Sequence, residues 1–296
     1  MLRRAKSLVR GAVREAAVLS LRILGQQQLG HAVEKLIASA VTDVDVAGAT
    51  LRFMTATPLL QRRAQTVLSK EPDTIRWIDQ FEANDVLWDI GANVGVFSIY
   101  AAKVKGVRVF AFEPSADNFM VLNRNIESNA LDDRIMPYCI ALAAATELGF
   151  LNSPSFKMGA ALHQFGRRGE LSRYSPSATC RTLGTIGFSI DDFVRQFNPA
   201  FPTRLKIDVD GIEWEILQGA EKTLHDPRLR SIMVELSISD QAENDRTSAW
   251  LSEAGFLLAS RGEMQESGGH AGANHLFVRC DAVDGDTTSA SPPRAT

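Results

Sequence analysis

Cysteine, long apolar runs and net charge are all scarce in this 296-residue chain. Its three cysteines, Cys139, Cys180 and Cys280, are odd in number and far apart, which disfavours a disulfide framework and a cysteine zinc site. No stretch reaches the roughly 18 uninterrupted apolar residues of a membrane span. The net charge of −3, from 32 basic and 35 acidic residues, disfavours a nucleic-acid partner. The composition, 45% hydrophobic and 23% charged, is that of a globular protein. We therefore expect a soluble, cytoplasmic protein.

The two ends of the chain differ from its middle. Residues 1–24 carry six basic side chains and only Glu15 as an acid, with apolar residues at helical spacing. This predicts a basic amphipathic helix within a helical extension over residues 1–48. The helix could pack on the main domain, make peripheral contact with an anionic membrane surface or a partner, or act as a secretory signal, although Arg22 interrupts its apolar stretch. Residues 281–296 are small and polar and predict a disordered tail.

The middle of the chain, residues 49–280, alternates short strand patterns with helical ones. Such alternation predicts βαβ crossovers and a mostly parallel sheet of the α/β class, whose ligands bind at the carboxyl ends of the strands. The final strand follows its predecessor without a helix, so we expect it to run antiparallel at or near the edge. The main predicted strands are 86–90, 107–112, 134–142, 146–152, 204–209, 230–236, 256–260 and 274–279, and the main predicted helices are 94–104, 118–126, 189–197, 211–224 and 241–254.

The first predicted strand runs into a glycine loop with the sequence DIGANVG at residues 89–95. Gly91 and Gly95 let the backbone turn sharply and approach a ligand closely. A dinucleotide-binding loop would have a further glycine in place of Asn93, and Asp89 would repel a pyrophosphate. A carboxylate at this place suits instead a ligand that carries a positive amine.

Glu113 ends the next predicted strand, where an acid can accept hydrogen bonds from both hydroxyls of a ribose. Asp89 and Glu113 together predict a site for a nucleoside with a cationic, phosphate-free arm. S-adenosylmethionine meets both conditions. The alternative interpretation is that the two acids only cap turns.

A third set of charged residues follows the fourth main strand: Lys206, Asp208, Asp210 and Glu213. Alternation along an extended strand places the first three on one side. Asp208, at the tip of the strand, is placed to contact a substrate hydroxyl or a cation. Glu213 falls in the first turn of the next helix, where the helix dipole alone can explain an acid.

Four motifs together resemble the FkbM family of S-adenosylmethionine-dependent methyltransferases: DIGANVG (89–95), AFEP (111–114), KIDVDGIEWEILQGAE (206–221) and MVEL (233–236). The resemblance extends over residues 50–280. It implies a class I, Rossmann-like methyltransferase fold with a mostly parallel seven-stranded sheet and helices on both faces. It also implies S-adenosylmethionine as the cofactor and, most often, methylation of a hydroxyl on a sugar, a polyketide or a similar small molecule.

The resemblance further assigns residues to the cofactor. Glu113 is expected to hold the ribose, and the glycine loop is expected to line the aminopropyl and carboxylate end. The cofactor-binding set is Asp89, Gly91, Asn93, Gly95, Glu113 and Ala141, the last of these in the third predicted strand. The chain departs from the family at Asp210, where many relatives have glutamate, and over 153–178, which matches no family pattern. We expect 153–178 to form a substrate-side insertion.

Methylation of a hydroxyl requires a base to take its proton. Asp208 is the first candidate and His163, in the insertion, is the second, although its flanking arginines make a solvent-exposed loop histidine the more usual interpretation. The residues expected on the substrate side are Lys206, Asp210, Glu213 and Glu235.

Three alternatives stay open. Asp208 and Glu235 end neighbouring strands and could instead ligate Mg²⁺, although we assign no metal. A methyltransferase acting on nitrogen or nucleic acid would carry a D/N-P-P-Y pattern where this chain has DVDG at 208–211. A non-catalytic S-adenosylmethionine-binding protein with the same fold is the third alternative.

Overall fold

The computed structural model describes residues 26–169, 180–267 and 270–280, which form a large sheet, a smaller sheet and a hairpin. The elements in chain order are α1 (Gln26–Ser39), β1 (Val41–Val46), β2 (Ala49–Met54), α2 (Pro58–Gln65), α3 (Pro72–Ile78), β3 (Val86–Ile90), α4 (Val96–Lys105), β4 (Arg108–Phe112), α5 (Ala116–Ser128), β5 (Ile135–Tyr138), β6 (Ala141–Leu142), β7 (Glu147–Ser153), β8 (Gln164–Gly166), β9 (Arg181–Phe188), α6 (Ile190–Phe197), β10 (Arg204–Ile207), α7 (Glu213–Gln218), α8 (Glu221–His225), β11 (Ser231–Ser237), α9 (Gln241–Glu253), β12 (Phe256–Arg261), β13 (Gln265–Ser267) and β14 (His270–Arg279).

Seven strands form the ladder of the large sheet, in the order β12-β14-β11-β10-β3-β4-β5. The five strands from β11 to β5 pair in parallel, while β14 runs antiparallel to both of its neighbours. The short β13 pairs with β14 as an eighth strand. The predicted mostly parallel sheet is therefore confirmed, and the final strand lies one place in from the edge.

Helices cover both faces of this sheet. α4 and α5 pack on one face, and α6 and α7 pack on the other. Every residue of β3 is buried, as expected for a strand with helices on both sides. On the second face, the Trp88 ring lies against Phe112 and Phe193, with ring centroids 5.2 and 5.6 Å away. This packing holds the carboxyl ends of β3, β4 and β10 beside one another.

The smaller sheet, ordered β6-β9-β7-β8, lies where the sequence predicts a single short strand and the insertion. The strand predicted at 134–142 is two strands, because β5 ends the large sheet and β6 joins the smaller one. Pro137, which has no backbone N–H to donate, lies in β5 at the sheet edge. β9 was not predicted because its two glycines and its irregular burial pattern carry no strand signal.

Two helical predictions also differ from the structure. The helix predicted at 211–224 is divided into α7 and α8 at Gly219, where an added Cβ would lie 2.3 Å from the Ala143 carbonyl oxygen. Within the predicted helical extension over 1–48, α1 is helical, but β1 forms a hairpin with β2. The predicted basic helix at 1–24 and the predicted tail at 281–296 lie outside the described residues. None of the described helices combines the length and the apolar composition needed to cross a membrane.

Candidate active site

Asp89 lies at the carboxyl end of β3 and is almost fully buried. Its Oδ2 accepts a hydrogen bond from Ser98 Oγ at 2.5 Å, in the first turn of α4. Its Oδ1 is buried and has no hydrogen-bond partner among the described residues. Burial raises the pKa of Asp89, an effect that Lys206 and Ser98 only partly offset. A buried acceptor of this kind is a group that a ligand can satisfy.

Glu113, which directly follows β4, holds the backbone of two neighbouring turns. Its Oε2 accepts the backbone N–H of Asn93 at 2.8 Å, and its Oε1 accepts that of Ser115 at 2.9 Å. The side chain of Ser115 precedes α5 without making a capping hydrogen bond. Burial raises the pKa of Glu113 to about 7, although these hydrogen bonds favour the ionised form. Glu113 therefore lies beside the glycine loop and fixes its shape.

The glycine loop passes directly over the end of β10. Gly91 has a φ of +81°, and a Cβ added there would lie 1.9 Å from the carbonyl oxygen of Asp208, so a side chain cannot fit. Asn93 also has a positive φ, of 52°, and its Oδ1 is buried without a hydrogen-bond partner in the described chain. Gly95 then begins α4. The close backbone and the unpartnered oxygens of Asp89 and Asn93 fit a cofactor arm that carries a positive amine.

Lys206 and Asp208 form an ion pair at the end of β10. Lys206 Nζ lies 2.5 Å from Asp208 Oδ2 and 4.9 Å from the centre of the Phe97 ring. Burial disfavours the charged amine, but Asp208 and Glu71 outweigh it and raise the pKa of Lys206. Burial also disfavours charge on Asp208, but Lys206 and Lys70 outweigh it and lower the pKa of Asp208. Asp208 is therefore a stable anion and a weak proton acceptor.

Glu235, on the neighbouring strand β11, favours its protonated form, whereas Asp208 favours its ionised form. It is hydrogen-bonded to Asp208, and burial together with the charge on Asp208 raises the pKa of Glu235 well above its ordinary value. Glu235 is therefore protonated at neutral pH and can donate the proton in this hydrogen bond. Asp208 and Glu235 share one negative charge beside Lys206. Within the described part of the chain, no three His, Cys, Asp or Glu side chains are grouped so that they could hold a metal ion.

Glu71 and Lys70 reach the Lys206–Asp208 pair from the amino-terminal part of the chain, and sequence reasoning missed both. Glu71 is buried and accepts hydrogen bonds from Lys70 Nζ at 2.8 Å and from Thr74 Oγ1 and Asn274 Nδ2 at 3.2 Å. In the sequence, an acid before Pro72 is indistinguishable from an ordinary residue at the start of a helix. Only long-range contacts bring it to the site.

Residues 157–165, within the predicted insertion, lie across the cofactor residues. The Ala160 carbonyl oxygen accepts hydrogen bonds from Asn93 Nδ2 at 2.8 Å and Asn118 Nδ2 at 3.0 Å. The Gly159 N–H donates to Asn118 Oδ1 at 2.8 Å, and the Gly159 carbonyl accepts from Arg63 Nε at 2.7 Å. Asn118 and Arg63 were not predicted, because neither belongs to a strand-end motif. They hold the insertion against the glycine loop.

His163 is partly buried in this segment, which corrects the expectation of an exposed loop histidine. Its backbone N–H donates to Asp210 Oδ2 at 3.0 Å. Its ring is hydrogen-bonded to the backbone of Ser155, which leaves Nε2 buried without a partner in the described chain. Burial lowers the pKa of His163 to about 4, so the ring is neutral near pH 7. Its Nε2 then carries an available lone pair.

A small cavity of about 30 Å³ connects His163 with the cofactor residues. Gly91, Ala141, Phe165 and Ile212 lie in its wall together with His163. The structure therefore brings Ala141 and the second candidate base next to the glycine loop. The cavity is much smaller than the roughly 300–1,000 Å³ of a small-molecule site, and residues 157–165 cover the cofactor residues in this structure.

Asp210 and Glu213 shape the turn after β10. Asp210 holds the backbone of His163, and burial raises the pKa of Asp210 to about 6. Glu213 Oε1 accepts the backbone N–H groups of Val209 and Gly211, both at 3.2 Å, and burial raises the pKa of Glu213 to about 8. Both acids accept hydrogen bonds from backbone N–H groups, and their contact with a substrate stays a prediction.

Residues 89–258, more than half of the chain, match the family model described as Methyltransferase FkbM domain. The chain is 31% identical over 159 residues to the hexuronic acid methyltransferase AglP of Haloferax volcanii, covering 53% of this chain and 59% of that protein. It is 25% identical over 181 residues to the 31-O-demethyl-FK506 methyltransferase FkbM of Streptomyces tacrolimicus, covering 55% and 69%. Among solved structures, M. jannaschii TYW2 in complex with AdoMet aligns with 81% of this chain and 87% of that one, at 15% identity and a TM-score of 0.41. The matched part thus spans less than two thirds of AglP.

Proposed function

This chain belongs to the FkbM family of S-adenosylmethionine-dependent methyltransferases, and we propose that it methylates a hydroxyl oxygen on a sugar, a glycan or another small metabolite. One observation carries the proposal: Asp89, Glu113 and Asp208 lie at the ends of three adjacent parallel strands around Gly91. The similar proteins named above are methyltransferases of a hexuronic acid and of 31-O-demethyl-FK506, which supports a small-molecule acceptor.

S-adenosylmethionine, when bound, supplies a methyl group on a positively charged sulfur. On the protein side, the free oxygens of Asp89 and Asn93 would accept hydrogen bonds from its amine. Glu113 would accept the ribose hydroxyls, because each carboxylate oxygen retains a lone pair beside its backbone hydrogen bond. The anion of Asp208 beside the loop favours a cationic ligand over a pyrophosphate.

We propose His163 as the group that takes the hydroxyl proton. His163 lies in the wall that includes Gly91, and its Nε2 is unpartnered among the described residues. Burial lowers the pKa of His163 and so weakens it as a base, and its position next to the glycine loop is what favours it for this role. Asp208, paired with Lys206, keeps its charge and orients the acceptor rather than binding the proton. General-base assistance of this kind contributes roughly 10²–10⁴-fold to the rate.

The cytoplasm is the compartment that we propose. All three cysteines are free, and Cys139 is exposed, as suits a reducing environment. Contact of residues 1–24 with an anionic membrane surface stays a prediction, because that segment lies outside the described residues.

Calorimetric titration with S-adenosylhomocysteine tests the cofactor assignment. We expect saturable binding at one site, and no binding would contradict an enzyme of this class.

For the acceptor, the protein is incubated with isotope-labelled S-adenosylmethionine and a panel of sugars, and the products are analysed by mass spectrometry. We expect an alkali-stable methyl ether. A methyl ester or a methylamine would contradict transfer to a hydroxyl.

A further inference from the structure

A second cavity, of about 590 Å³, lies beside the turn after β10. Its volume is that of a small-molecule site, roughly 300–1,000 Å³. Its walls come from the smaller sheet, chiefly β7 and β8, and from the start of α7. Phe165 and Ile212 line both this cavity and the small cavity that contains Gly91 and His163. Phe165 and Ile212 therefore lie at the boundary between the two cavities, so the larger cavity adjoins the one that contains Gly91 and His163.

One aromatic side chain in the wall of the larger cavity, Phe165, is held in place by two glycines. Phe165 is buried and packs over Gly149 of β7 and Gly187 of β9. A Cβ added at either glycine would lie 2.5–2.6 Å from the Phe165 ring, so these positions leave room for the ring only because they lack side chains. Three positions on neighbouring strands thus fix the place of this aromatic ring in the cavity wall.

Charged side chains also line this cavity. Arg167 and Arg168 follow β8, and the Arg168 guanidinium carbon lies 5.9 Å from the centre of the Phe150 ring. Guanidinium groups favour carboxylate or phosphate, to which they donate several directed hydrogen bonds. The acid Glu147 also lines the cavity and is exposed to solvent.

Glu215, on the opposite wall, provides an independent observation. Its Oε2 is buried and has no hydrogen-bond partner among the described residues. A buried carboxylate oxygen requires a donor, and the hydroxyl group of a ligand is such a donor. The cavity lining therefore combines two arginines, which can bind an anion, with a carboxylate oxygen that can accept a hydrogen bond from a hydroxyl.

We propose that this cavity binds the methyl acceptor and that the acceptor is a sugar that carries an anionic group. Arg167 and Arg168 bind the carboxylate or phosphate of that sugar, and Glu215 accepts a hydrogen bond from one of its hydroxyls. This inference rests on the proposed methyltransferase function. A neutral, hydroxyl-poor acceptor would make no hydrogen bonds with the two guanidinium groups and would leave the buried Glu215 oxygen without a partner, which costs binding free energy.

The test measures binding of three probes to the full chain saturated with S-adenosylhomocysteine: methyl β-D-glucuronide, glucose 6-phosphate and methyl β-D-glucoside. Ligand-observed NMR gives the dissociation constants. We expect at least one anionic sugar to bind ten-fold or more tightly than the neutral glucoside, and the tighter anion identifies carboxylate or phosphate. Equal affinity for the neutral sugar, or no binding of any probe, overturns the proposal. Failure to bind S-adenosylhomocysteine itself refutes the methyltransferase function instead.

Variants assign the preference to named side chains. Arg167→Gln with Arg168→Gln should reduce the preference for the anionic sugar at least ten-fold, while the dissociation constant for S-adenosylhomocysteine stays within two-fold. Glu215→Gln should weaken all three probes. The matched control is Arg124→Gln with Arg195→Gln, which removes the same charge from two exposed arginines outside the cavity. If the control loses the preference equally, overall charge and not this cavity selects the sugar.

Discussion

The cofactor end of the site and the acceptor cavity are built in different ways. Cofactor residues such as Asp89 and Glu113 extend the buried strands of the large sheet, and they are held by backbone and core contacts. In the acceptor cavity, Arg167 and Arg168 follow strand β8 of the smaller sheet and are exposed. The cofactor end therefore depends on backbone geometry, whereas the acceptor side depends on surface side chains that can change at little cost to the fold.

Gly91→Ala gives the largest expected effect and tests the first half of this comparison. The added Cβ meets the Asp208 carbonyl at a backbone conformation that already disfavours alanine. We expect the free energy of unfolding to fall by about 3 kcal/mol or more, and binding of S-adenosylhomocysteine to be lost. Denaturant unfolding and calorimetry measure the two quantities.

Two glycines serve as controls for that substitution. Gly48 has the same φ of +81° but open space around it, so Gly48→Ala isolates the conformational cost. Gly166 lines the acceptor cavity and has nothing within 4 Å of an added Cβ, so Gly166→Ala should leave stability unchanged within about 0.5 kcal/mol. A Gly166 variant as unstable as the Gly91 variant would remove the distinction between the two sides.

His163→Gln separates binding from chemistry. Turnover should fall about 10²–10⁴-fold, because the variant lacks the basic Nε2. Binding of S-adenosylhomocysteine, measured by calorimetry, should change little. Asp208→Asn serves as the comparison, and it should destabilise the fold as well, because Lys206 would lose its charged partner while buried. Retained turnover in His163→Gln would return the role of base to Asp208.

Glu113→Ala tests whether the cofactor end depends on one buried acid. The change removes hydrogen bonds between a charged carboxylate and the ribose, and it also frees the Asn93 N–H. We expect the dissociation constant for S-adenosylhomocysteine to rise about 100-fold, which corresponds to about 3 kcal/mol. Glu113→Gln should show a smaller increase, and unchanged affinity in both variants would refute the ribose assignment.

The buried acid Glu213 makes the free energy of unfolding depend on pH. Its pKa in the folded chain, about 8, lies above the ordinary 4.5, so the folded state binds its proton more tightly than the unfolded state. The stabilisation of the folded state by protonated Glu213 is complete below about pH 4.5 and is lost as the pH rises through about 8. Between pH 5 and pH 8, the free energy of unfolding should therefore fall about 3.5 kcal/mol further in the wild-type chain than in Glu213→Gln. Parallel pH curves in urea unfolding would contradict this.

The cofactor end could be predicted from the sequence because its signals are local. Apolar runs followed by acids and glycines place Asp89, Gly91 and Glu113 at strand ends, and parallel strands bring these ends together. The same rule predicted most strands of the large sheet. The rule did not predict β9, because this strand contains two glycines and its buried and exposed residues do not alternate regularly.

The remaining site residues depend on contacts between distant parts of the chain. Glu71 meets Asn274 across most of the sequence, and Arg63 meets the Gly159 carbonyl. The local sequence pattern around these residues indicates neither contact. The protonation states are equally non-local, since the low pKa of Asp208 requires Lys70 and Lys206 together.

The backbone between Ala160 and Arg168 touches both ligand sites. Ala160 is hydrogen-bonded to Asn93 and Asn118, and a few residues later Phe165 and Arg167 line the acceptor cavity. Any movement of this segment at the cofactor end therefore also moves residues that line the acceptor cavity. Coupling that arises in this way is reciprocal, because each ligand then changes the affinity of the other by the same factor.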